Sequence, residues 1–356
     1  MRFISLVLLV AILVTGCAAP ATQTAAPQAE VQPTAEPTAE PVQPTEAPVV
    51  YEPITLKVNL SKLTSYAPIF IAQSEGYFDK FGITLESIQL NKNSDAFPLV
   101  ISGDLDVYFG PVNAALFSTT AQEPNIKVVA DRGYSGGDQC AYTAIVVRKD
   151  LFESGEITKP EDLKGVDVNV NPVSVTGWLL DQYMGTAGLS IDDVNPINIP
   201  TASYIDAFAN KEAAVIVSPE MHVSRLLGAG NATILASTSD FGVQQQAVVV
   251  FGKNIMVDHP DWGARFMAAY MMGVKKLAEG KTDANIAAIA EASGEDPQLI
   301  KDSCWVAIHP DAMIDFAASD ILQQWYVKRG LLDAPVTEDQ YWTSKFIEEG
   351  SKLIGN

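Results

Sequence analysis

The chain has 356 residues and a formal charge of −20 at pH 7, with 43 acidic side chains against 23 basic ones. That balance lacks the basic footprint nucleic acid requires, so a nucleic-acid partner is excluded. Linker glutamates Glu30, Glu36, Glu40 and Glu46 carry little of the charge, which serves solubility of the folded part.

Met1-Arg2 precedes an apolar run from Phe3 to Val14 and then Thr15-Gly16-Cys17. One basic residue, a short hydrophobic segment and small residues before a cut site predict a signal peptide over residues 1–16, too short to span a bilayer. The ending "LVTGC" resembles a bacterial lipobox, which implies that Cys17 is lipidated and tethers the protein to the outer face of the cell membrane. From residue 17 to 50 the composition turns to Pro, Ala, Thr, Gln and Glu, with "PTAEPTAEPVQPTEAP" nearly repeating. Such a segment cannot offset its ordering entropy, and it is expected to be an extended, disordered spacer. With Cys17 assigned to lipid, Cys140 and Cys304 remain. An exported location permits a disulfide between them, and two buried thiols are the alternative.

From Tyr51 onward strand and helix signals alternate. "ITLKVNL" reads as a strand, and Pro68 opens a helix. "ITLESIQL", "DVYFG" and "IKVVADRG" are further strands, separated by the helical "DAFPLVISGDL" and "NAALFSTTAQ". After "CAYTAIVVRKD" the rhythm restarts with strands in "GVDVNVNP", "NPINIP" and "AAVIVSP" and helices between them. "QQAVVVFGKNI" is another long strand, and from Pro260 the chain is almost wholly helical. This is an α/β fold with mostly parallel sheets in two lobes. Lobe 1 is expected to comprise residues 51–145 plus 251–356, and lobe 2 residues 146–250. The crossings are placed near Val146 and Val249, as two hinge strands of a clamp.

"YAPIFIAQSEGYFDKFGITLESIQL", "LVISGDLDVYFGPVNAAL", "KPEDLKGVDVNVNP" and "AAVIVSPEMHVSRLLGAG" resemble the substrate-binding proteins of ABC importers in the NMT1/THI5-like family. That family groups sulfonate, taurine and nitrate binders with binders of thiamine precursors. The resemblance spans roughly residues 54 to 350. It implies a type II periplasmic-binding-protein fold and a monomer that hands a small molecule to a membrane permease.

Ligands of open α/β sheets bind beyond the carboxyl ends of the strands. Five loops qualify, around Tyr66, Phe109–Asn113, Tyr134–Gln139, Val173–Trp178 and Ser218–Met221, with Trp305 within reach. The candidate ligand-binding residues are Ser65, Tyr66, Asn113, Tyr134, Asp138, Ser174, Thr176, Trp178, Glu220 and Trp305. The aromatic ones offer flat faces, where stacking adds about 0.5–1.5 kcal/mol. Tyr66 and Trp178 stand at equivalent helix starts of the two lobes, whereas Phe109 fits the core as readily as the cleft. Lys62 is the one cation in these loops, whereas an anion binder wants Arg, Lys or several helix N-termini. The expected ligand is therefore a neutral aromatic heterocycle. Riboflavin suits the opposed rings and the surplus of hydroxyl and amide partners, and the chain also resembles riboflavin-binding members of the family. The pyrimidine precursor of thiamine, favoured by Asp138 and Glu220, and a sulfonate- or nitrate-type anion are the alternatives.

An enzyme making the thiamine pyrimidine on this fold is the rival from another class. His222, His259 and His309 are scattered with no HxH, HExxH or CxxC spacing, and no GxSxG or phosphate loop is found. The expectation is a binding protein with no catalytic residue, metal or cofactor.

Overall fold

A computed structural model describes residues 49–90, 92–136 and 142–355. The leader, Cys17 and the linker up to Pro48 lie outside the described residues, as do Asp138, Gln139 and Cys140. Among the described residues ten strands form two five-stranded sheets.

The first sheet holds β1 (Ile54–Val58), β2 (Ile83–Ser87), β3 (Val107–Pro111), β4 (Lys127–Ser135) and β10 (Gln244–Phe251), in the order β2-β1-β3-β10-β4. The second holds β5 (Thr143–Arg148), β6 (Asp167–Asn169), β7 (Asn195–Ile197), β8 (Val215–Pro219) and β9 (Ala232–Ser237), in the order β7-β6-β8-β5-β9. In each sheet one strand runs against the rest: β10 is antiparallel to β3 and β4, and β5 to β8 and β9. The edge strand β9 gave no clear signal in the sequence.

The crossings fall elsewhere than Val146 and Val249. Val146 pairs with Ile216 and Ile234 inside the second sheet, and Val249 with Phe109 and Ala130 inside the first. All eight residues of β10 are buried, as a strand covered on both faces must be. The chain leaves the first sheet between Ser135 and Thr143 and returns between Ser237 and Gln244. Residues 143–145 therefore belong with the second sheet and 244–250 with the first.

The helical C-terminal portion returns to the first sheet. Phe266, from the helix Pro260–Leu277, meets Phe78, Phe109 and Phe251 with ring centroids 5.5–6.2 Å apart, and Phe346 lies 4.9 Å from Phe251. Glycines allow this close layering: a Cβ at Gly273 would collide with the Pro68 carbonyl. Tyr326 donates from its hydroxyl to the Val112 carbonyl at 3.0 Å, tying the helix Phe316–Lys328 to the end of β3. No helix among the described residues is long and apolar enough to cross a membrane.

Candidate functional site

Beyond the carboxyl end of β1 the chain makes a 3-10 turn, Thr64–Tyr66, and enters the helix Ala67–Ser74, which has Pro68 in its first turn. All three turn residues are buried. Tyr66, 3 % exposed, donates from its hydroxyl to the Phe109 carbonyl at 3.1 Å and packs edge-on to the Phe109 ring. Its ring also carries a guanidinium, that of Arg132, 4.4 Å from the centroid.

Arg132 is the residue the sequence reading missed. On β4, Gly133 pairs with Ala247 and Asp131 with Val248, so Arg132 is the extra residue of a bulge. A bulge re-aims its side chain, and this one is directed at the turn. Nη1 donates to Ser65 Oγ at 2.6 Å, and Nη2 makes a long 3.4 Å contact with the Gly110 carbonyl. Among the described residues Nε is buried with no partner. Arg132 is 3 % exposed, and among the described residues no carboxylate pairs with it.

The adjacent carboxylate is fully engaged elsewhere. Asp131 Oδ1 accepts from Gly133 N and Gln245 Nε2, both at 2.7 Å. Oδ2 accepts from His309 N at 2.7 Å and bonds His309 Nδ1 at 2.8 Å. Burial alone would lower His309, but the hydrogen bond and charge of Asp131 outweigh it and raise the imidazole above its ordinary range. Alternation along a strand sends neighbouring side chains to opposite faces, which separates this carboxylate from the guanidinium beside it.

The second sheet reaches the same place. Tyr142, just ahead of β5, donates from its hydroxyl to Ser65 Oγ at 3.2 Å. Thr143 Oγ1 donates to Gln246 Oε1 at 3.2 Å, joining β5 to β10 across the two sheets. Among the described residues Thr64 Oγ1, Ser218 Oγ and Gln246 Nε2 are buried with no partner, like Arg132 Nε. A buried polar group without a partner is costly. These are hydroxyl or N–H donors, and an acceptor carrying negative charge suits each of them.

The other predicted residues are placed as follows. Asn113 caps the helix Ala114–Gln122, its Oδ1 accepting from Leu116 N at 2.8 Å. Ser174 and Thr176 bond each other at 2.9 Å and the Asn171 segment, as the cap of the helix Val175–Gly185. Trp178 is 2 % exposed, packed edge-on to Phe241 inside the core, and presents no open face. Phe109 is core as well. Tyr134 stacks on His309 at 3.9 Å. Trp305 is half-buried and donates from Nε1 to the Ile300 carbonyl at 2.8 Å. Glu220 is buried at the end of β8, and burial pushes its carboxyl up to about 7 against the hydrogen bonds from Ser224. Asp138 lies outside the described residues. Cys304 is disulfide-bonded, and both other cysteines of the chain, Cys17 and Cys140, lie outside the described residues.

Ser65, Tyr66 and the second sheet's Tyr142 thus converge on Arg132, while Asn113, Ser174 and Thr176 serve their own helix starts. The one signal for Arg132 in the sequence was a charged pair, Asp131-Arg132, directly after the apolar Val128-Val129-Ala130 of a strand.

Two mixed sheets, each with one antiparallel strand, and polar groups gathered at the strand ends define a protein of the periplasmic-binding-protein fold. The NMT1/THI5-like family matches residues 63–284, and the chain belongs to that family. Among solved structures it is similar to the alkanesulfonate-binding protein SsuA from Xanthomonas axonopodis pv. citri bound to MOPS, at 16 % identity and a TM-score of 0.66, over 82 % of this chain and 99 % of that one. It is similar to the periplasmic nitrate-binding protein NrtA from Synechocystis PCC 6803, at 12 % identity and a TM-score of 0.66, over 85 % and 89 %. The desulfurization enzyme DSZB shares the fold at 15 % identity and a TM-score of 0.61, over 84 % and 99 %. No curated protein matched.

Proposed function

We propose that the protein is the solute-binding component of an ABC importer, closing two lobes on a small oxyanion and delivering it to a membrane permease. The observation that carries this is Arg132: a buried guanidinium with neither a carboxylate partner nor a partner for its Nε among the described residues. A carboxylate-sized or sulfonate-sized group fits the planar fork of a guanidinium. The similarity to sulfonate- and nitrate-binding proteins supports the same class of ligand.

Riboflavin is the second reading. The unpartnered Thr64, Ser218 and Gln246 groups support it, since they suit a polyol tail. Against it, Trp178 lies in the core, and Tyr66 is buried as well, its ring covered by the Arg132 guanidinium. The thiamine pyrimidine draws support from Glu220, a buried carboxyl able to face an amino group. Titration calorimetry with an alkanesulfonate, nitrate and riboflavin separates the readings. An anion bound at one-to-one stoichiometry is the expected result. Uptake of riboflavin with quenching of its fluorescence, and no heat with either anion, would overturn the anion reading.

The role assigned is capture without bond chemistry. Its support is that His222 and His309 are engaged with Arg225 and Asp131. Lipid anchoring at Cys17, a spacer to residue 50 and a monomeric state complete the reading. Cys17→Ser is expected to move the protein from the membrane fraction to the soluble one. Continued attachment would remove the anchor from the reading.

A further inference from the structure

Met221 follows the end of β8 in the second sheet, yet it is buried among Ala67, Ile71, Ile286, Ile289 and Ile300. Those residues belong to helices that pack with the first sheet's elements. Arg225, one turn further along, pairs with Glu295 beyond that socket. Met221 is thus seated across the seam between the sheets, and Glu220 is drawn in beside it.

Glu220 donates its backbone N–H to the Tyr142 carbonyl at 2.7 Å, and its Oε2 accepts from Ser224 N at 3.2 Å. Lys281 is the cation that acts on it, with Nζ donating to the Lys301 and Ser303 carbonyls. Arg225 and Glu295 neutralise each other, and His222 is held neutral, pushed down to about 4 by burial and by Arg225. Glu220 therefore faces one cation, and that cation is already engaged by two carbonyls.

We propose that the two lobes close with uptake of a proton on Glu220, Met221 acting as the latch, so that acidification favours the closed cleft. This rests on the two-lobed capture reading above. In the closed seam burial holds the carboxyl up at about 7, against an ordinary value of 4.5. An open seam returns it to water and to that ordinary value. The folded, closed state then binds the extra proton, so its advantage is fully present below the ordinary carboxylate value and fades as pH rises through about 7. Across that window the closed-to-open ratio is expected to change on the order of a hundredfold.

Small-angle X-ray scattering of the ligand-free protein, at about pH 5 and about pH 8, tests the coupling. The compact fraction of the unaltered protein is expected to grow on acidification. Glu220→Gln, a permanent stand-in for the protonated carboxyl, should be compact at both pH values, and Met221→Ala extended at both. A folded unaltered protein whose dimensions ignore pH would overturn the proposal, and so would a Glu220→Gln variant that responds to pH as the unaltered protein does. No anion is present in these measurements, so a failure of the anion reading shows separately, in the calorimetry.

Discussion

Replacing Arg132 with Ala is expected to abolish anion capture while leaving the ligand-free protein as stable as before, or more so. Removing one member of a buried, hydrogen-bonded charge pair costs about 2–5 kcal/mol of binding, roughly thirtyfold to several thousandfold in affinity. In the ligand-free protein the same guanidinium is buried with no carboxylate partner among the described residues. A buried charge without a counter-charge opposes folding, and its removal offsets the loss of the Ser65 and Gly110 hydrogen bonds and of the contact over Tyr66. Binding and stability should therefore move in opposite directions, a signature that a purely structural arginine would not give. Arg132→Lys should not rescue, because a lysine loses the fork and its stacking over Tyr66 at 4.4 Å. Calorimetry and thermal melts read the two effects. Affinity within about threefold of the original, a difference under about 1 kcal/mol, would remove Arg132 from the site.

Asp131→Asn is expected to have the largest effect on stability, about 3 kcal/mol or more. The carboxylate is fully buried and engages four partners, Gly133 N, Gln245 Nε2, His309 N and His309 Nδ1. An amide cannot accept from all of them, and its NH₂ group would face at least one donor. The ion pair also predicts a pH dependence. His309 is raised in the folded protein relative to an unfolded imidazole near 6.5. Its contribution is therefore fully present below about pH 6.5 and is lost as pH rises through the folded value. Melting temperature should fall as pH rises above about 6.5, and Asp131→Asn should flatten that slope. An unchanged slope in the variant would assign the pH dependence to another group. Since Asp131 anchors the strand on which Arg132 is bulged, weaker anion binding should accompany the loss of stability.

The two families of effects share one strand. β4 sends Asp131 to the segment after Cys304, where it fastens the C-terminal portion to the first sheet. It sends Arg132 to the Thr64–Tyr66 turn, where the two sheets meet. Stability and capture are thus separated by the alternation of side chains along a strand and by one bulge.

Periodicity in the sequence was enough for the α/β class, for nine of the ten strands and for the helical end, because burial on one or both faces leaves a local pattern of apolar residues. Composition and motif also placed Ser65 and Tyr66 at a helix start beyond a strand. Three matters were decided only by tertiary structure. Which sheet β10 joins depends on pairing with β3 and β4, and pairing leaves no mark in a uniformly apolar run. Whether Trp178 faces a ligand or the core depends on Phe241 and its other neighbours, since an aromatic at a helix start serves either role. The identity of the buried cation depended on a bulge, a shift of register between two strands more than a hundred residues apart in sequence, which turned Arg132 toward Ser65. Local patterns record how much of a side chain is buried. Which partner it meets is set by long-range pairing, and the site consists of such meetings.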